Sequence, residues 1–383
     1  MRNWLLPEYV EDILPAEALH IETIRRQILD LLRVHGYQLV IPPLLEYVES
    51  LLTGSGSDMD LHMFRVIDQL SGRMMGVRAD MTPQAARIDA HLLNLEGITR
   101  LCYAASVLHT LPSNITQTRE PLQIGAELYG HSGLESDIEV QQLMLKCLSL
   151  SGIDQVHLNL GHVAVFRGLI KIANVSRDFE KELFSALQAK DISTLQELCA
   201  HIPSPVREAF LLLPELYGDK SILIEARKRL PDYPEIVAAL NELDRVEEEL
   251  RSSVGAIAFD LADLRGYHYH TGIVFAAYAR GSSNTIALGG RYDDIGKAFG
   301  RARPATGFSM DLRDISRLIK TKSYPAAIRA PYQKNNQTLN KLIVQLRESG
   351  QIVVVELPEQ KGIFPDCDRR IVMRDGQWVV EPI

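Results

Sequence analysis

The sequence predicts an α+β fold on a largely antiparallel sheet, and three observations lead there. Strand signals group together, helical signals group apart from them, and hairpin signals stand in place of regular strand–helix alternation. The chain has 383 residues, 46% of them apolar, enough for one large core or about two to three smaller ones. Glu17 to Val34 places Ile21, Ile24, Ile28, Leu31 and Leu32 on one helical face, and Gly36 follows where a helix would stop. YQLVIPPLLE is a β-rich run ended by Pro42 and Pro43, as a strand giving way to an extended turn would be. Asp137 to Leu150 repeats the helical spacing through Val140, Leu143, Cys147 and Leu148, and Gly152 closes it. In VHLNLG the apolar Val156, Leu158 and Leu160 alternate with His157 and Asn159, the period of a sheet with two different faces.

From about 175 to 252 glycine becomes scarce and helical spacing recurs in Phe179, Leu183, Leu187 and in Ile236, Leu240, Leu243, Leu250, the texture of a helical insertion. Strand signals return in AIAFDLADLRGYHYHTGIVFAAYA, TIALGGRYDD and ATGFSMDL, before a helix beginning near Asp311. A core over residues 1–320 is thus split around the insertion. Residues 321–383 read as a small extension: a loop-like KTKSYPAAIRAPYQKNNQ, then a helix, a strand and a hairpin turning at Asp375-Gly376. About 60 residues build little core of their own.

Composition removes several function classes. A net charge of −8 gives no global pull toward phosphate backbones, so nucleic acid is not the expected partner. No stretch reaches the roughly 18 uninterrupted apolar residues of a membrane span, and a cytoplasmic location is expected. Cys102, Cys147, Cys199 and Cys367 lie far apart without paired spacing, which suggests neither zinc nor a disulfide framework. No metal or cofactor is expected.

The densest chemistry lies in LRGYHYHTGIVFAAY, residues 264–278. Strand alternation would put Arg265, Tyr267, Tyr269 and Thr271 on one face and His268, His270 and Val274 on the other. A bulge at Gly266 would change that register and let Arg265 and His270 point into one cavity. Spacing alone leaves open aromatic strand residues with their polar tips in solvent. Metal ligation by His268 and His270 lacks a third ligand, whereas tyrosine hydroxyls, an imidazole and a fixed cation suit a small zwitterion.

These residues resemble a family. DLRGYHYHTGIVFAAY is similar to the segment with which histidyl-tRNA synthetases recognise their amino acid. In the same order, IPPLLE (41–46) resembles the first class II synthetase motif, VRADMTPQAAR (77–87) the segment that follows it, and QIGAELYG (123–130) the end of the second motif. GGRYDD (289–294) and PATGFSMDL (304–312) resemble the approach to the third. The resemblance implies a class II aminoacyl-tRNA synthetase-like antiparallel sheet flanked by helices. It also implies a histidine site, with Asp80, Thr82, Gln123 and Glu127 around the ammonium and Arg265 near the carboxylate. Tyr269 keeps the first tyrosine of the family pair, His270 replaces the second, and His268 replaces an aspartate.

Adenylation residues depart from the family pattern. Leu108 of VLHTLP stands at an arginine position and Thr110 at a glutamate, SNITQT offers no cation before Arg119, and Asp314 aligns with a closing arginine beside Arg313. A leucine cannot stabilise a phosphate. The tail resembles a truncated anticodon-binding domain. This combination, with RGYHYHTGIVFAAY and LNLGHVAVFRGL, resembles the regulatory subunits of ATP phosphoribosyltransferase. That resemblance implies a non-catalytic chain, required by a short-form catalytic subunit in the first step of histidine biosynthesis and mediating feedback by L-histidine. The implied assembly is a hetero-octamer of four plus four, built around homodimers. A diverged histidine–tRNA ligase, or a synthetase-like binding module for another enzyme, are the alternatives.

Overall fold

Sixteen strands are formed among the described residues of the computed structural model, which are 4–53, 63–112, 117–319, 326–359 and 367–383. The opening MRN, residues 113–116 of SNITQT and residues 320–325 of the loop-like stretch lie outside that set. In chain order the strands are β1 Gln38–Leu39, β2 Leu45–Tyr47, β3 Arg65–Ile67, β4 Met74–Val77, β5 Thr99–Ser106, β6 Leu122–Tyr129, β7 Val156–His162 and β8 Tyr217–Gly218. They continue as β9 Ala256–Asp260, β10 Ile273–Ala279, β11 Ala287–Arg291, β12 Ala305–Asp311, β13 Ala327–Ala330, β14 Val353–Val355, β15 Cys367–Arg374 and β16 Gln377–Pro382.

Nine of them make the main sheet, in the order β1-β5-β6-β12-β11-β10-β7-β9-β8. The six from β5 to β7 are antiparallel to their neighbours; β1 joins one edge in parallel, and β9 joins the other in parallel to β7. Alternation sorts the faces. Ile124, Ala126 and Leu128 of β6 enter the principal core with Ile24, Ile28 and Leu32 of helix Pro15–Val34, and with Val140, Leu143 and Leu148 of helix Leu134–Leu150. Gln123, Gly125 and Glu127 therefore face the other way. The second helix begins at Leu134, three residues before the expected start at Asp137, and Gly133 is its extended N-cap.

Residues 175–252 are helical as the spacing predicts, with Arg177–Gln188, Ile192–Cys199, Val206–Leu212, Ser221–Arg229 and Pro234–Leu250, and with the short β8 among them. Leu183, Leu187, Leu240, Leu243 and Leu250 join the principal core, so the insertion extends that core rather than forming another.

The segment Leu261–Gly272 is where the expectation of a strand fails. It is a run of turns and bends, and extended structure begins only at Ile273. Gly266 adopts φ +63°, and its carbonyl accepts both the Tyr269 and His270 amides. A Cβ there would lie 2.5 Å from His270 Nδ1, so glycine allows both the left-handed backbone and the close imidazole.

The chain divides into two units, residues 1–320 and 321–383. The second holds the sheet β14-β13-β15-β16, with Leu339 and Ile343 of helix Gln337–Glu348 in its small core. Asp375 at φ +47° and Gly376 at φ +81° close the β15–β16 hairpin, the two-residue turn with both central residues left-handed that Asp-Gly favours.

Candidate functional site

The face of the sheet opposite the principal core carries a cavity of about 220 Å³, small against the pockets that hold drug-sized ligands. Its floor comes from the sheet: Glu127 on β6, Gly289 and Gly290 on β11, and Gly307 to Ser309 on β12. Asp80 and Thr82, at the start of helix Thr82–Arg87, line one side, and Tyr267 to His270 line another. Four consecutive residues can face one cavity only because that segment is coiled; in a strand, two of them would point away. Phe184 and Gln188 complete the wall from the insertion helix Arg177–Gln188.

Glu127 is 1% exposed. Its Oε1 accepts the Tyr103 hydroxyl at 2.8 Å and its Oε2 accepts the Tyr292 hydroxyl. Burial pushes its pKa up to about 8, against the hydrogen bonds from Tyr292 and Tyr103, which pull it down. Burial also drives both phenols well above their ordinary range, so they remain donors. Gly307 faces this carboxylate directly, and a Cβ there would overlap Glu127 Oε2.

A second polar cluster adjoins it. Asp80 Oδ1 accepts Gln123 Nε2 at 2.7 Å, the Thr82 amide at 3.1 Å and the Thr82 hydroxyl at 3.2 Å, and Gln123 Oε1 accepts the Met81 amide at 2.9 Å. Thr82 Oγ1 lies 3.1 Å from the Tyr103 hydroxyl, joining this cluster to Glu127. Tyr269 stacks on Tyr292 with centroids 4.9 Å apart, and its buried hydroxyl makes no hydrogen bond, although Thr82 is near. A buried hydroxyl left unpaired in a cavity wall is a group a ligand can satisfy. His270 lines that wall, and loss of hydration around its ring on burial pushes its pKa down to about 4, so it is neutral at pH 7. Arg167 fixes the loop by donating to the Tyr267 carbonyl at 3.1 Å and the His270 carbonyl at 2.7 Å.

Asp80, Thr82, Glu127, Tyr269 and His270 are thus brought to one cavity. Gln123 stands behind Asp80 and lines the next cavity instead. Arg265 is not brought to it: its guanidinium is held by Asp263 at 2.9 and 2.5 Å on the far side of the loop, in a separate cavity. The turn at Gly266 divides Arg265 from His270 where a bulge was expected to unite them. Sequence reading missed Tyr103, Tyr292, Phe184 and Arg167. A lone tyrosine within the apolar LCYAAS, and the tyrosine after GGR, were the available signals for the first two.

The adjoining cavity, about 380 Å³, shares Asp80, Leu288 and Ser309 with the first. Asp80, Asp311 and Asp314 line it, and its described lining includes no lysine or arginine. Burial, and then Asp314 close by, push Asp311 up to about 7. Arg313 is buried away from this cavity, 3.6 Å from Glu120 and 3.9 Å from Glu11.

Comparison with known proteins agrees with this architecture. A family model described as Histidyl-tRNA synthetase matches residues 9–315, and one described as ATP phosphoribosyltransferase subunit HisZ C-terminal domain matches residues 325–381. A solved ATP phosphoribosyltransferase regulatory subunit/histidyl-tRNA synthetase from Bacillus halodurans C superposes with a TM-score of 0.83 at 24% identity, over 94% of this chain and 95% of that one. The histidyl-tRNA synthetase of Nostoc sp. PCC 7120 superposes at 0.78 with 20% identity, over 100% and 97%. These likenesses show the class II histidyl-tRNA synthetase-like fold. Among curated relatives, the ATP phosphoribosyltransferase regulatory subunits of Nitrosomonas eutropha and Nitrosomonas europaea are 62% and 60% identical over the whole of both chains. That of Azoarcus sp. (strain BH72) is 52% identical over 100% of this chain and 99% of its own. With full-length identity at this level and both family models matched in order, the chain belongs to the family of ATP phosphoribosyltransferase regulatory subunits.

Proposed function

We propose that this chain is the non-catalytic, histidine-sensing subunit of an ATP phosphoribosyltransferase acting in the first step of histidine biosynthesis in the cytoplasm. Its partner is a short-form catalytic subunit, with four of each chain assembled around homodimers of this one. The observation that carries the reading is a contrast between two neighbouring cavities. One holds a buried carboxylate set between two phenols, with Asp80 and Thr82 beside it. The other, next to it, is walled by three carboxylates, with no lysine or arginine in its described lining to meet a phosphate.

The first cavity suits L-histidine. Asp80 and the Thr82 hydroxyl are acceptors for its ammonium, with Gln123 holding the Asp80 carboxylate in place. Glu127, protonated at neutral pH in the empty cavity, gives up its proton when a cationic or hydrogen-bond-donating group arrives, and the tyrosines stabilise the anion. The second cavity opposes adenylation. A triphosphate placed there meets Asp80, Asp311 and Asp314 rather than the cations that charge redistribution at an α-phosphate needs. Histidine then acts by preferring one arrangement of the assembly, with a coupling of about 1–3 kcal/mol.

The test is reconstitution. The chain is purified with a short-form catalytic subunit, and phosphoribosyl-ATP formation is followed with and without L-histidine. Activity well above that of the catalytic subunit alone, suppressed by histidine, is expected. No gain on adding this chain, or histidine-dependent ATP–pyrophosphate exchange by this chain alone, would overturn the reading.

A further inference from the structure

His157 and Asn159, two polar positions of β7, do not line the cavity proposed for histidine. They open into a separate cavity of about 440 Å³, which also takes in Lys190, Asp260, Asp263, Arg265 and Tyr278. Asn159 is 8% exposed, and its Oδ1 is buried with no hydrogen-bond partner. Turning the amide over would only leave a buried N–H₂ group in the same position. A strand interior that places an unpaired amide against an open cavity offers a contact that something else must complete.

The cations of this cavity are only partly committed. Arg265 donates through Nε and Nη2 to Asp263, and through Nη1 to the Tyr278 hydroxyl at 3.2 Å, which leaves one N–H on each terminal nitrogen. Lys190 makes one contact, to Asp260 Oδ2 at 3.3 Å, and lies over the Tyr217 ring. These N–H groups belong to side chains that line one cavity, as an acceptor with several oxygens requires. Lys190 and Arg265 are balanced by Asp260 and Asp263, so the wall favours an anion of low charge over a polyphosphate. Asn159 remains to bond a hydroxyl.

We propose that this cavity is a second small-molecule site, binding a hydroxylated monophosphate ester with its phosphate on Lys190 and Arg265 and a hydroxyl on Asn159. Gln188 lines both cavities, and Arg265 and Gly266 are consecutive, so the two sites lie on opposite sides of one loop.

The full chain is titrated calorimetrically with glycerol 3-phosphate and with inorganic phosphate. Saturable binding, with the ester tighter than the free ion, is expected. Lys190→Met should weaken the ester at least about tenfold, Lys190→Arg should restore most of it, and both variants should melt as wild type does. Lys220→Met, which removes a lysine paired with Glu247, controls for general charge and should bind as wild type. The proposal is overturned by no saturable binding to wild type, by an ester no tighter than inorganic phosphate, by unchanged binding in Lys190→Met, or by equal weakening in Lys220→Met.

Discussion

Replacing Glu127 with glutamine should make the empty protein more stable at pH 8 while removing much of its affinity for L-histidine. In the unfolded chain this carboxyl titrates near 4.5, and in the folded chain burial holds it near 8. Below the lower value both states carry the proton and the group adds no pH dependence. Between the two values the unfolded chain sheds its proton while the folded chain keeps it, so stability falls as pH rises, and the loss levels off above the higher one. The interval is about three and a half pH units at roughly 1.4 kcal/mol each, so the penalty at pH 8 is on the order of a few kcal/mol. Glutamine keeps the volume and one acceptor for a phenol, and it does not titrate. Urea denaturation of both proteins at pH 5 and pH 8 reads the effect as a smaller pH difference in the variant. Comparing the two proteins cancels Asp311, which titrates near 7 in both. By calorimetry the variant should bind L-histidine about ten- to a hundredfold more weakly, the range of a charge-assisted hydrogen bond of roughly 1.5–3 kcal/mol. Wild-type affinity, relative to the variant, should climb between pH 6 and pH 8. A pH difference in stability that survives the substitution would refute the argument from burial, and an unchanged histidine affinity would refute the ligand assignment.

Gly307→Ala should abolish histidine binding, seen as no heat on titration, because its Cβ would overlap Glu127 Oε2 and lie 2.8 Å from the Ala126 carbonyl. Arg291→Met should lower stability by roughly 3–5 kcal/mol in urea denaturation, since it strands Asp137, 2% exposed, without the guanidinium that now contacts it at 2.6 and 3.0 Å. Gly376→Ala should weaken the β15–β16 hairpin by about 1–2 kcal/mol, visible as faster amide exchange in that hairpin, because φ +81° is strained for any residue with a Cβ.

Regular elements were legible wherever one face is apolar. The spacing of Ile21, Ile24 and Ile28 placed the first helix, the alternation in VHLNLG placed β7, and Asp375-Gly376 placed the last hairpin. These signals are local and need no knowledge of partners. The segment 264–270 was misread because aromatic residues favour strands, whereas a single left-handed glycine decides the path here through contacts with His270. Asp80, Thr82 and Glu127, which line one cavity, were grouped in the sequence only by the family resemblance, as no local pattern ties a carboxylate in VRADMT to one in GAELYG. Their phenolic partners stayed hidden because Tyr103 on β5 and Tyr292 just after β11 reach Glu127 from other parts of the sequence. Arg265 could not be placed from sequence either: Asp263, two residues away, captures it, and whether a near or a distant carboxylate wins depends on backbone path.

The insertion helix Arg177–Gln188 supplies Phe184 and Gln188 to the cavity around Glu127, and its Glu180 accepts the Tyr267 hydroxyl at 2.6 Å. Whatever fills the cavity is therefore sandwiched between two stretches of chain roughly eighty residues apart, a roof from one and a wall from the other. A small occupant would then work as mortar, raising the work needed to lift the insertion off the sheet.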